Sequence, residues 1–63
     1  MSVLKHIDVG AVQAGDTVVI NNDRYVVDFT EPEGYGYEMQ LHDATGSKVR
    51  KCLLQGETVS LEI

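Results

Sequence analysis

The chain has 63 residues, 43% hydrophobic and 24% charged, with ten acidic against five basic side chains for a formal net charge of −5. These proportions exclude intrinsic disorder, and the length allows one domain with a single small core, near the lower limit at which a chain folds unaided. The negative charge opposes general attraction to nucleic-acid phosphates, and Cys52, the only cysteine, leaves no internal disulfide and no thiol pair for structural zinc.

The opening MSVLKHIDVG lacks the apolar core of an export signal, and no apolar run approaches the length of a membrane span, so a cytoplasmic protein is expected. No long stretch places apolar residues at helical spacing, whereas short alternating or β-branched runs recur, and the reading is all-β. Val3, Leu4 and Ile7 either cover one end of a barrel or add a short strand. Gly10 and Gly15 in VGAVQAGD then turn the chain tightly into the run DTVVI.

DTVVI and RYVVDFT are separated by a turn at Asn21 and Asn22, and asparagine tolerates positive φ better than any residue but glycine. A two-residue type I′ hairpin follows, with Val18 opposite Tyr25 and with Tyr25, Val27 and Phe29 expected on one face. The stretch TEPEGYGYEM is read as a glycine-rich link. After it, YEMQLHD alternates Tyr37, Met39 and Leu41 with Glu38, Gln40 and His42, so one side of this strand is wet.

A three-residue loop of Ala44, Thr45 and Gly46, with Gly46 in the left-handed region, sets Leu41 opposite Val49 and Tyr37 opposite Leu53. It also sets Gln40 opposite Arg50 and Glu38 opposite Cys52. A two-residue turn would slip the register by one and send the apolar set to the solvent face. The last run, ETVSLEI, follows a turn at Gln55 and Gly56 and alternates Val59, Leu61 and Ile63 with polar residues. Its edge is expected to be open and to invite pairing with a second copy.

Five strands this short with such brief links need a strongly bent sheet to cover their apolar face. The expected architecture is a five-stranded SH3-like (KOW-like) barrel over 15–63, with 1–14 as a segment covering it; an OB-like barrel is the alternative.

The residues that carry this pattern, QAGDTVVINNDRYVV and DATGSKVRKCLLQGETV, resemble the N-terminal KOW-like SH3 barrel of translation elongation factor P and its archaeal and eukaryotic counterparts. The likeness runs from about Val12 to Val59. Gly15, Asn21-Asn22, Tyr25, Val27, Thr45-Gly46 and Gly56-Glu57 match that family's turns and core positions. In that family a modified lysine at a Pro-Gly-Lys-Gly-like tip reaches the ribosomal peptidyl-transfer centre. Here the tip is Pro32-Glu33-Gly34-Tyr35-Gly36, which puts Tyr35 in the lysine's place. The resemblance therefore implies the fold without the translation activity, in a stand-alone barrel.

No enzyme is indicated, because His6 and His42 form no triad spacing with a nucleophile. His42 is expected on the polar face beside Lys48. Cys52 is read as a small packed thiol, with a thiol activated by Arg50 and Lys51 as the sharper alternative. The acidic residues lack the alternate-position run of a calcium loop, and no glycine-rich loop leads into a helix, so neither metal nor cofactor is expected.

Lys48, Arg50 and Lys51 hold three of the five cations. They either pair across strands, with Glu38 diagonal to Arg50, or form a small edge for RNA with Tyr35 or Tyr37 as a stacking surface. The net charge weakens the RNA alternative. The leading expectation is a small acidic interaction module that binds a protein partner through Tyr35, Tyr37, Glu31 and Glu33. That partner is expected in the transcription or translation machinery, and the small size and acidic charge would suit a protein encoded by a phage or mobile element.

Overall fold

The structure, a computed structural model, describes residues 3–63. The first two residues of the expected covering segment lie outside the described residues. Six strands follow in order: β1 (Leu4–Asp8), β2 (Thr17–Ile20), β3 (Asp23–Glu33), β4 (Gly36–His42), β5 (Lys48–Leu54) and β6 (Thr58–Glu62), with a 3-10 turn at Val9–Ala11 after β1. All pairings are antiparallel, in the spatial order β1-β6-β2-β3-β4-β5.

This order corrects the strand count from five to six. The N-terminal segment adds a strand rather than a cover, because Leu4–Asp8 pairs along its whole length with β6. It also moves the expected open edge. β6 lies inside the sheet, between β1 and β2, and the edges are β1 and β5. Those two edges do not pair with each other, so the sheet bends without closing into a barrel.

The turns follow from local chemistry. Asn21 and Asn22 both take positive φ, at 52° and 69°, as a type I′ turn requires, and Val18 stands opposite Tyr25. Between β4 and β5 the Asp43 carboxylate gathers the Thr45 N–H at 2.9 Å, the Thr45 hydroxyl at 2.6 Å and the Ser47 N–H at 3.0 Å. Gly46 takes φ +87°. The register is the one the three-residue loop dictates: Leu41 opposite Val49, Tyr37 opposite Leu53.

One irregularity overturns a sequence expectation. The register of β3 on β4 shifts between Val27 and Phe29, so Asp28 is an extra residue that opposes nothing. Such a bulge moves every later side chain to the other face relative to simple alternation. Val27 points inward and is 1% exposed, whereas Phe29 points outward and is 47% exposed. The Asp28 carboxylate meets His42 Nδ1 at 2.7 Å across the outer face. The bulge falls where β2 stops supporting β3, just beyond the last backbone bonds between Val27 and the Gly15-Asp16 turn. The strand is free to bend there.

The core is Val9, Val12, Val18, Val27, Met39, Leu41 and Val59, with Ile7, Ile20, Tyr25, Tyr37, Val49, Leu53 and Leu61 packed around it. Val9 and Val12 enter through the 3-10 turn, which Asp8 caps by accepting the Gly10 N–H at 2.9 Å. Among the described residues no helix is long and apolar enough to cross a membrane.

Candidate functional site: the tip of the β3-β4 hairpin

The stretch read as a link is a continuous hairpin. β3 runs to Glu33, β4 begins at Gly36, and the turn is Gly34 and Tyr35 alone. Of these two only Gly34 has positive φ, at +57°, which is the pattern of a type II′ turn with glycine in its first central position. Pro32 fits inside β3 opposite Tyr37 because β2 ends well before it, so no neighbour there asks for its missing N–H.

The tip is fastened to the turn between β5 and β6. The Gln55 N–H donates to the Tyr35 carbonyl at 2.9 Å, the Leu54 N–H donates to the Glu57 carboxylate at 2.6 Å, and the Glu57 N–H donates to the Leu54 carbonyl at 3.1 Å. Gly36 makes the approach sterically feasible, since a Cβ there would lie 2.0 Å from the Leu53 carbonyl oxygen. An open hollow of about 410 Å³ results, with Glu33, Tyr35, Tyr37, Cys52, Leu54 and Glu57 on its walls. Tyr35 is 89% exposed and Leu54 65%.

Beside the hollow the outer face is acidic. Glu31 stands opposite Glu38, and Glu38 opposite Cys52. Glu38 is buried, with its carboxylate 3.0 Å from Arg50 Nε and 3.3 Å from Gln40 Nε2. A hydrogen bond to Glu38 and the charge of Glu38 raise the Glu33 pKa above its ordinary 4.5, with Arg50 opposing the shift. At the opposite end of β4 the Thr45 hydroxyl and the backbone N–H groups around it lower the Asp43 pKa below 3.8.

Of the residues singled out in the sequence, Tyr35, Glu31 and Glu33 are exposed together at the tip. Tyr37 is half-buried against the core, with its hydroxyl next to Gly10, and offers the hollow only part of its ring. The cationic run is divided by strand alternation. Lys48 and Arg50 share the outer face, opposite His42 and Gln40, whereas Lys51 stands opposite Met39 on the inner side. Arg50 pairs with Glu38 as the diagonal relation requires. Cys52 is exposed, which corrects the expectation of a packed thiol: it shares the outer face with Glu38, away from the core side of Val49 and Leu53.

Besides Val3, Leu4 and Ile63 near the two ends of the chain, Leu54 and Phe29 are exposed apolar residues that the alternation did not lead one to expect. Leu54 had a signal, since two consecutive leucines at the end of an alternating strand must face opposite ways. Phe29 had none, because the bulge that turns it outward leaves no mark in the hydrophobic pattern. Among the described residues no group of three or more His, Cys, Asp or Glu is placed to hold a metal ion. No family model matches the chain, and neither a curated protein nor a solved structure matches it.

Proposed function

We propose that this chain is a non-enzymatic interaction module of the SH3-like, KOW-like kind, acting in the cytoplasm, and that it binds a protein partner through the tip of the β3-β4 hairpin. The observation that carries the reading is Tyr35. A large ring 89% exposed on a turn bonded to its neighbour has no task in the core, and rigid aromatic anchors beside an apolar neighbour such as Leu54 are what protein contacts use. Glu31, Glu33 and Glu57 rim it, which favours a partner with an apolar notch bordered by cations.

The likeness to the N-terminal domain of elongation factor P, carried by the turn and core residues quoted for it, belongs to the same reading. It favours a partner in the transcription or translation machinery, while the small size and acidic charge suit a protein encoded by a phage or mobile element. The RNA alternative loses support because Lys51 stands on the other face from Lys48 and Arg50, and because Arg50 is committed to Glu38.

Immobilised wild type, Tyr35→Ala, Leu54→Ser and a Lys48→Ala/Arg50→Ala/Lys51→Ala variant, exposed to host extract with and without nuclease treatment, test the choice. The proposal predicts one protein retained by wild type and lost, by about tenfold in retention, with either tip variant. Equal retention by wild type and both tip variants contradicts it, and binding abolished by nuclease returns the function to RNA.

A further inference from the structure

The edge of β5 is the second feature of the surface that the fold leaves without a task. The Asp43 N–H donates to the Ser47 carbonyl, and antiparallel alternation from that bond directs the N–H and C=O groups of Val49, Lys51 and Leu53 toward β4. Those of Lys48, Arg50 and Cys52 therefore point away from the sheet. Among the described residues no strand pairs with that side of β5.

Where the sheet fails to close, an open hollow of about 300 Å³ separates Lys51 and Leu53 of β5 from Ile20, Val59 and Ser60. The strand itself carries Lys48, Arg50 and Lys51, three of the five cations of a chain whose net charge is −5. A row of unpaired backbone groups, an apolar hollow beside it and a local excess of cations occur together nowhere else on the described surface.

We propose that the β5 edge accepts an acidic extended segment of the partner protein as a seventh, antiparallel strand. The proposal rests on the reading that the chain binds a protein, and it adds the chemistry of the bound segment. Backbone bonds to Lys48, Arg50 and Cys52 supply general affinity, and side chains at alternate positions supply choice. A residue opposite Leu53 shares its face and, if apolar, enters the hollow beside Ile20 and Val59. Residues opposite Lys51 and Lys48 meet an ammonium each, so both are acidic. Read from its N-terminus, the segment is an apolar residue, an acidic residue two places on, and a second acidic residue three places beyond that.

Charge sets the occupant. A second copy paired along the whole of β5 would place Lys51 against Lys51 on the inner face and set the two Arg50 side chains diagonal to each other on the outer face. An acidic strand meets the same cations with the opposite sign.

The probe is a capped seven-residue threonine peptide with valine second and glutamate fourth and seventh, titrated into the isotopically labelled protein. The expected result is that the Lys48, Arg50 and Cys52 amides shift and become protected. Affinity should fall about tenfold or more when lysine replaces both glutamates, or in a Lys48→Glu/Lys51→Glu variant, while Tyr35→Ala binds normally. Equal binding of the acidic and basic peptides, or shifts confined to the Tyr35 turn, overturns the inference and leaves the tip proposal standing. A single-stranded oligonucleotide that displaces the acidic peptide from β5 also overturns it. Peptide binding at β5, with tip variants that retain the host partner unchanged, supports the edge and rejects the tip.

Discussion

β4 is shared by two hairpins that were built by different means. The β4-β5 hairpin is governed by its loop: Asp43 collects three donors, Gly46 takes the left-handed conformation, and the register follows along seven residue pairs from Gly36 to His42. The β3-β4 hairpin is governed at a distance from its turn, by the extra residue at Asp28 where β2 no longer supports β3. The first kind of control is local and the second tertiary. The residues proposed to bind a partner lie on the second, because the bulge sends Phe29, Glu31 and Glu33 outward and leaves Tyr35 at the end of an arm extending past β2.

The largest effect belongs to the strand that both hairpins need. Leu41 is fully buried, and Leu41→Ala should cost about 2 to 5 kcal/mol, against about 3 to 9 kcal/mol of total stability for a chain of this length. Denaturant unfolding should show a variant at or beyond the edge of folding; a loss under about 1 kcal/mol would mean the core lies elsewhere.

Gly36→Ala should separate the hairpins. Its Cβ meets the Leu53 backbone rather than a movable side chain, so β4 and β5 must part at the tip, at a cost of about 1 to 3 kcal/mol. Amide shifts should change around Tyr35, Leu53 and Gln55 while the loop at Asp43 stays as it is. A change spread evenly over both ends of β4 would show that they are not independent.

Acid should act on the two ends with opposite sign. The Asp43 pKa is lowered by folding, so its contribution is present above pH 3.8 and is lost as pH falls through the lower native value. The Glu33 pKa is raised, so its contribution is present below pH 4.5 and is lost as pH rises through the higher native value. Acidifying from neutral pH should first tighten the tip and only later loosen the loop. Side-chain carboxyl titration by NMR should place Glu33 above 4.5 and Asp43 below 3.8, and midpoints in the reverse order would refute both assignments.

The smallest effect is the most diagnostic of the bulge. With its ring outside, Phe29→Ser should change stability by no more than about 0.5 kcal/mol, whereas an inward phenylalanine in simple alternation would cost about 3 to 5 kcal/mol.

Much of this molecule was legible because its turns are written in residues with restricted conformational needs. Asn21-Asn22, Gly46 and Gly56 announced three of the connections, and alternation in YEMQLHD fixed which face of β4 is apolar. Alternation misled after Val27 because one unpaired residue reverses parity without altering composition. The position of β6 inside the sheet was equally hidden, since its neighbour β1 comes from the far end of the chain and nothing local to ETVSLEI signals it. At the site, Tyr35 and its glutamates stood out by type. Leu54 joins them only because two turns distant in sequence are bonded together.

The fold and the docking of an added strand both require β5 to be an open edge of a bent but unclosed sheet. Native-state amide exchange along Lys48–Leu54 measures this directly. An open edge should give alternation, with Val49, Lys51 and Leu53 protected and Lys48, Arg50 and Cys52 exchanging rapidly. Uniform protection along the strand, at protein concentrations where the chain is monomeric, would mean that the sheet closes on itself and would contradict it.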